Sequence, residues 1–470
     1  MRWLAAHTWL LALIPLIAGI LLCYYTRFPI NLLANTAVDY LDCDTTLCLH
    51  LVSEGQARNK TIRYTASAPD GSRILLYLQR DSLPFPRMGD LLLVATRVER
   101  GDTLGDFDYG HYLRMQGIAG SAWAYRRNWQ VIGHQPLRGL RSSAERCQYW
   151  LHQRYKQLRL HEPELSIVSA LTLGYREELD KNVQQQFSAA GAMHILAVSG
   201  LHTGIVWGLI VWILTLGGWA KPLYEQYTWQ VILRVLTLLA LWTYAFITGL
   251  SPSVMRSALM VSIVEIGWLT RRNLSGINSL AAAAVIILLI NPLALWSVSF
   301  QLSFAAMAAI ILVAQRMQNR IILRNKLSQY IGGLLIMSLA AQIGTLPLTL
   351  HYFGQTSNYF ALTNLVVIPA AFVLLLLGLG ALALSWCFAG EWLGQAAQWV
   401  SYGLREVVEW IEQLPYSTSH ITLSSLSVVL CYGAIACAIR MMQGEQVKWW
   451  WLMGVVGCLG GICWLEVIGF

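Results

Sequence analysis

The stretch LTNLVVIPAAFVLLLLGLGALALSWCF, residues 362–388, runs for 27 residues without a charge. As a helix it would extend about 40 Å, longer than the roughly 30 Å hydrocarbon core of a bilayer. Buried strands of soluble proteins end after about 4–8 residues, so this length belongs to a membrane-spanning helix. Similar blocks flank it near Ile195–Leu216, Val231–Leu250, Val254–Leu269, Ile277–Ile290, Leu295–Ala314, Ile331–Leu348, Ile421–Ala438 and Trp449–Ile468. Another, Trp9–Tyr25, lies near the N-terminus and reads as a retained span, because the bulky Cys23-Tyr24-Tyr25 offers no small-x-small cleavage site. The blocks make about ten spans, with Leu165–Leu173 apolar but too short to cross alone.

Composition agrees. Of 470 residues, 56% are hydrophobic and 12% charged, where soluble domains carry about 25% charge. The 20 Trp and 20 Tyr are residues that anchor helix ends at membrane interfaces. A net charge of +8 fits anionic lipid, loop charge bias or an anionic substrate and does not choose among them. The nine Cys lack repeated CxxC spacing, so no structural zinc site is expected and no metal or other cofactor is called for.

Residues 31–143 differ in character. Short runs at Thr45–Ser53, Thr61–Ser67, Arg73–Gln79, Asp90–Arg97, Gly117–Tyr125 and Trp129–Ile132 alternate with turns such as Pro69-Asp70-Gly71 and Met88-Gly89-Asp90. The pattern predicts a β domain of five or six strands. A small OB-like barrel closes such strands without a naked edge, and a small sandwich fits the same pattern. The fold class is therefore a polytopic α-helical membrane protein with an inserted small β domain. Its organisation is a first span (1–30), the β domain (31–143), connecting interfacial helices (144–190), a multi-helix membrane domain (191–440) and a last span (441–470).

Arg271-Arg272, and Arg316, Arg320, Arg324 and Lys326 two spans later, place both loops in the cytoplasm and the β domain outside. Glu391–Leu414 reads as an amphipathic surface helix. Between Arg27 and Arg159 there are 18 Lys+Arg against 12 Asp+Glu. That excess suits a polyanion, and it equally suits an ordinary surface beside lipid headgroups. Arg126 and Arg127, among Trp123, Tyr125 and Trp129, suit backbone contact with base stacking, or simply mark a strand end. Cys43 and Cys48, in a domain placed in an oxidising compartment, are either a disulfide or two free side chains.

Four polar patches interrupt the apolar blocks. In Phe187–Gly204, His194, Ser199 and His202 enter an apolar segment. On one helix the two His would differ by about 80° and share a face. Ionisable groups at such depth face a cavity or the bundle interior, where they either line a path or join helices. Arg256 follows Pro252 at a helix start, able to meet an anion or to snorkel to the interface. Gln301 needs a partner in lipid, and Ser299 and Ser303 can bond carbonyls one turn earlier. In Gln342–Pro347, a span broken at Pro347 would free backbone groups, tolerable only inside protein or beside water. Together the patches favour one internal pathway. There is no nucleophile elbow and no carboxylate beside the two His to orient a base, so hydrolysis is not expected.

In order along the chain, Gly105-Asp106-Phe107-Asp108-Tyr109-Gly110-His111-Tyr112-Leu113 with Gly117-Ile118, Gly174-Tyr175-Arg176, Gly191 through His202, Pro252 with Arg256, Phe300-Gln301-Leu302-Ser303, Gln342 through Pro347 with Phe353-Gly354, and Asn364 with Pro369 resemble the ComEC/Rec2 competence family. The resemblance implies an inner-membrane channel carrying single-stranded DNA into the cytoplasm, with an external OB-like domain. Many members add a metallo-β-lactamase-like domain after the membrane part. This sequence ends at Phe470 with no HxHxDH cluster and no GxxxxGK[ST] loop. The expectation is a non-enzymatic conduit in contact with DNA and membrane lipids. A separate DNA receptor, nuclease and ATP-driven motor would serve it. A transporter of another anionic envelope substrate and a structural membrane protein are the alternatives.

Overall fold

The structure is a computed structural model that describes residues 42–443, less 54, 58–59, 81–84, 101–102, 105–106, 109, 111–112, 114–117, 126, 136–138, 216–225, 271–274 and 321–324, together with 453–458 and 462. The expected first span and most of the last span lie outside the described residues, as does Arg126. The described residues divide at Cys147/Gln148 into two compact units.

The first unit is a barrel. Its strands are β1 (Asp44–Leu51), β2 (Thr61–Ser67), β3 (Arg73–Gln79), β4 (Asp90–Glu99), β5 (Ile118–Ala124) and β6 (Trp129–His134). The ring runs β1-β2-β3-β5-β4 and closes through antiparallel pairing of β1 with β4, from Asp44 opposite Arg97 to His50 opposite Leu91. Only β3 and β5 are parallel, and β6 extends the ring from β4. Alternation places Leu47, Leu49, Leu51, Ile62, Tyr64, Ile74, Leu76, Leu92, Val94 and Ala122 inside, which is what a period of two must do when one face is buried. The expected closed barrel is present, and a sandwich is excluded by the β1–β4 closure.

The second unit is helical. Its elements are α1 (Leu140–Gln157, which begins in the first unit), α2 (Glu164–Leu173), α3 (Lys181–Ala189), α4 (Gly200–Leu214), α5 (Tyr227–Ile247), α6 (Pro252–Leu269) and α7 (Gly276–Ile290). Then come a 3-10 turn (Pro292–Trp296), α8 (Val298–Ala309) running through a π turn into α9 (Gln315–Arg320), and α10 (Lys326–Phe353). A short strand β7 (Gln355–Ser357) leads to α11 (Phe360–Ala383) and α12 (Phe388–Glu412), and β8 (Thr418–His420) precedes α13 (Ser425–Gln443). β7 and β8 pair antiparallel, tying the start of α11 to the end of α12.

Among the described residues four helices are long and apolar enough to cross a membrane: Tyr227–Ile247, Val298–Gln318, Lys326–Phe353 and Phe360–Ala383. The count expected from the sequence was higher. α4 and α7 have 15 residues each, about 22 Å of helix, short of the hydrocarbon core. α6 has the length but buries Arg256 and Glu265. α2 is ten residues long with every residue buried, a core helix and no span.

Two more expectations change. α10 does not break at Pro347. The Tyr432 hydroxyl donates to the Gly344 carbonyl at 2.8 Å, next to the Ile343 carbonyl that has no helical donor because Pro347 lacks an N–H. Gly344 also lets α10 approach α8, since a Cβ there would lie 2.5 Å from the Ala305 carbonyl oxygen. The 391–414 segment is not simply a surface helix. α12 buries Gly390, Gly394, Ala397, Ser401, Leu404, Val408 and Ile411 and leaves Trp392, Trp399 and Trp410 exposed. Small residues set the packed face because they permit close helix approach.

Candidate functional site: a cluster of helix N-termini

Helix α4 starts later than the sequence implied. Residues 191–199 form turns, so His194 and His202 do not share a helix. Gly191 has φ +81, and a Cβ there would sit 2.8 Å from Ser357 Cβ, so the turn docks tightly beside β7. His194 is exposed, in the turns ahead of α4.

Ser199 caps α4, and His202 in the first turn is fully buried. The Ser199 backbone N–H donates to His202 Nδ1 at 3.2 Å, with Ser199 Oγ 3.1 Å from the same nitrogen. An Nδ1 that accepts leaves the proton on Nε2. That Nε2 is buried without a hydrogen-bond partner among the described residues. The next residue, Thr203, bonds Ser257 Oγ on α6 at 2.8 Å.

Arg256 precedes Ser257 and is 7% exposed. Its Nη2 donates to Ser299 Oγ at 2.7 Å and Ser303 Oγ at 3.1 Å, both on α8. Its Nε is buried and has no partner among the described residues. These two serines had been expected to bond their own backbone, and their work for Arg256 was not visible in the sequence. The contacts join residues in the first two turns of α4, α6 and α8, so three helix N-termini lie side by side. Such termini favour anions through their free N–H groups and dipoles.

Gln301 belongs to another contact. Its Nε2 donates to the Leu295 carbonyl at 3.0 Å, and the Tyr352 hydroxyl donates to its Oε1 at 2.9 Å. Both ends of its amide are bonded, which makes it a joint between α8 and α10. Gln342 bonds Thr356 at 3.2 Å. Ser199 and His202 contact each other, and Arg256 is next in sequence to Ser257, which bonds Thr203 beside them, while Gln301 and Gln342 serve separate contacts. The sequence did not show the partners of Glu265, which is buried and accepts from Trp207 Nε1 at 2.9 Å and Arg234 Nη1 at 2.5 Å. Glu265 and Arg256 are nine residues apart on α6, about 180° around the helix, so they do not face each other.

In the barrel unit Arg127 is exposed at the turn after β5. Trp123 and Tyr125 point outward at 50% and 64% exposure, Trp123 stacked on Tyr77 at 4.5 Å. With Thr46, Thr96, Arg97 and Asn128 they line a groove of about 450 Å³. Trp129 instead packs against the barrel core. Cys43 and Cys48 are free. Cys48 lies within β1, five residues along an extended chain from Cys43, about 16 Å away, and a disulfide needs Cα atoms within about 7 Å. The disulfide alternative is therefore withdrawn. Among the described residues no group of His, Cys, Asp and Glu could hold a metal ion.

The family model described as Competence protein matches residues 171–446. The chain belongs to the Competence protein family. It is 30% identical over 277 residues to ComE operon protein 3 of Bacillus subtilis (strain 168), covering 56% of this chain and 31% of that protein. It is 27% identical over 226 residues to the uncharacterized protein YcaI of Escherichia coli (strain K12), 43% of this chain and 30% of that protein. Competence protein ComA of Neisseria gonorrhoeae is 30% identical over 147 residues, 31% of this chain and 21% of that protein. The matched part thus spans less than a third of the length of each of these three relatives. No solved structure matches the chain. The Competence match covers α4, α6 and α8, so the N-terminal cluster lies within the family region.

Proposed function

We propose that this chain is a membrane component of DNA uptake during natural transformation, guiding a single strand across the inner membrane without covalent chemistry. One observation carries the reading: two buried N–H donors, His202 Nε2 and Arg256 Nε, have no acceptor among the described residues, and both sit at clustered helix N-termini. Unpaired buried donors cost stability, so they are retained where a ligand or water supplies the acceptor. A phosphate oxygen suits both the guanidinium and the helix ends. The names of two relatives, ComE operon protein 3 and Competence protein ComA, add the link to competence.

In this reading the β domain lies outside and receives DNA on the Trp123/Tyr125 groove, where bases stack and Arg97 and Arg127 meet phosphates. The strand then passes the Ser199/His202/Arg256 cluster, which replaces part of its hydration. His194 lies ahead of the cluster and Gln301 holds α8 against α10. In this reading a DNA receptor, a nuclease and an ATP-driven motor act with it.

The test uses a naturally competent host. Deleting the gene should abolish internalisation of labelled DNA while surface binding persists, and normal internalisation would refute the proposal. Complementation with Arg256→Gln at matched membrane abundance should lower internalisation about tenfold, the value of one charge-assisted contact. Full activity of that variant would remove the cluster from the path. Loss of envelope integrity with normal DNA entry would favour transport of another anionic substrate.

A further inference from the structure

A second cationic feature lies at the other end of α11. That helix stops at Ala383, residues 384–387 turn, and α12 starts at Phe388. The end of α1 comes alongside, with Gly394 packed on Leu158 and Arg159 paired to Glu391 at 3.1 Å. Between them is a cavity of about 260 Å³ whose lining includes Arg154, Gln157, Ser385, Trp386, Phe388 and Glu391.

Arg154 is held in a fixed pose. Its guanidinium lies over the Trp150 ring at 5.0 Å and the Trp386 ring at 5.8 Å. Nη1 donates to Gln157 Oε1 at 3.1 Å. Among the described residues no carboxylate pairs with Arg154, and Glu391 in the same cavity is engaged by Arg159. A stacked guanidinium is pre-organised and keeps its remaining N–H donors free for a planar or tetrahedral oxyanion.

The rim is apolar and outward. Trp386, Phe388 and Trp392 are 79%, 71% and 62% exposed. In a membrane protein such aromatics sit at headgroup level. An anion with an apolar tail satisfies both halves of the site, whereas free phosphate would leave the rim unused. We propose that this cavity binds a membrane phospholipid, its phosphate on Arg154 and its upper acyl chains against Trp386 and Phe388. The proposal is independent of the DNA reading.

The experiment titrates the detergent-purified full chain with a short-chain phosphatidylglycerol and follows adducts by native mass spectrometry. The wild type should retain one lipid that short-chain diacylglycerol does not replace and excess inorganic phosphate does not displace. Arg154→Gln should bind about tenfold more weakly, and Arg141→Gln, an exposed arginine of the same helix, should bind as the wild type does. Equal retention by Arg154→Gln would overturn the proposal, and so would displacement by inorganic phosphate, which would mark an adventitious anion site. Should Arg154→Gln fail to fold, Trp386→Ala alters an exposed indole on the same cavity. It should weaken binding several-fold, and unchanged binding would again overturn the proposal.

Discussion

Replacing Glu265 by Gln keeps the shape of a side chain that holds three helices together. The carboxylate accepts from Trp207 Nε1 on α4 through Oε1 and from Arg234 on α5 through Oε2. Glutamine retains the first bond but leaves Arg234 without its counter-charge. Removing one partner of a buried pair costs about 3–5 kcal/mol. Arg234 is 28% exposed on its side chain and lies over Trp268 at 4.9 Å, so part of its charge remains solvated or stacked. The expected loss is therefore at the low end, about 3 kcal/mol, or roughly 100-fold in the folding equilibrium. Equilibrium unfolding in mixed micelles measures it. The double variant Glu265→Gln/Arg234→Met, which removes both charges, should recover at least about 1 kcal/mol relative to the additive sum. A single variant within about 0.5 kcal/mol of the wild type, or strict additivity in the cycle, would show that the pair does not hold the helices.

Two other perturbations follow from the same packing. Gly344→Ala places a Cβ 2.5 Å from the Ala305 carbonyl oxygen; it should destabilise the chain by about 1–3 kcal/mol through overpacking, read from the melting temperature in detergent against Gly403→Ala, which meets open space. Glu178, in the segment between α2 and α3, is held at about 2 by its hydrogen bond from His152, with Lys156 adding to the effect. A carboxylate lowered in the folded state stabilises above its unfolded value, near 4.3, and that contribution is lost as pH falls toward about 2. Stability should thus be insensitive to this group from pH 7 to about 5 and decline below, and Glu178→Gln should flatten the decline; an acid limb unchanged by the substitution would refute the assignment.

The barrel was legible almost residue by residue. Thr61–Ser67 alternates strictly, and an alternating run has one register that buries its apolar face; Arg73–Gln79 is a short apolar run buried from Ile74 to Leu78 and bounded by polar ends, and both strands were found at their true ends. Helix starts in the membrane part were harder. In an all-apolar stretch hydrophobicity does not distinguish turn from helix, so residues 191–199 read as helix and put His194 beside His202 on one face. The same ambiguity made α4 look long enough to span. Pro347 is a separate case: the helix continues past it, with the Tyr432 hydroxyl bonded to the Gly344 carbonyl one turn earlier.

By itself the sequence determined the division into an apolar helical part and a β domain, because the length and period of apolar runs follow from local geometry and solvent alone. It also determined which polar residues needed an explanation, since an Arg or Glu inside an apolar helix is costly wherever it goes. Which groups answer that need was decided by tertiary packing. Arg256 meets Ser299 and Ser303, and Glu265 meets Arg234 and Trp207, only because particular helices cross at particular heights. Directional bonds of about 3 Å between distant positions depend on that crossing, and no local pattern encodes it.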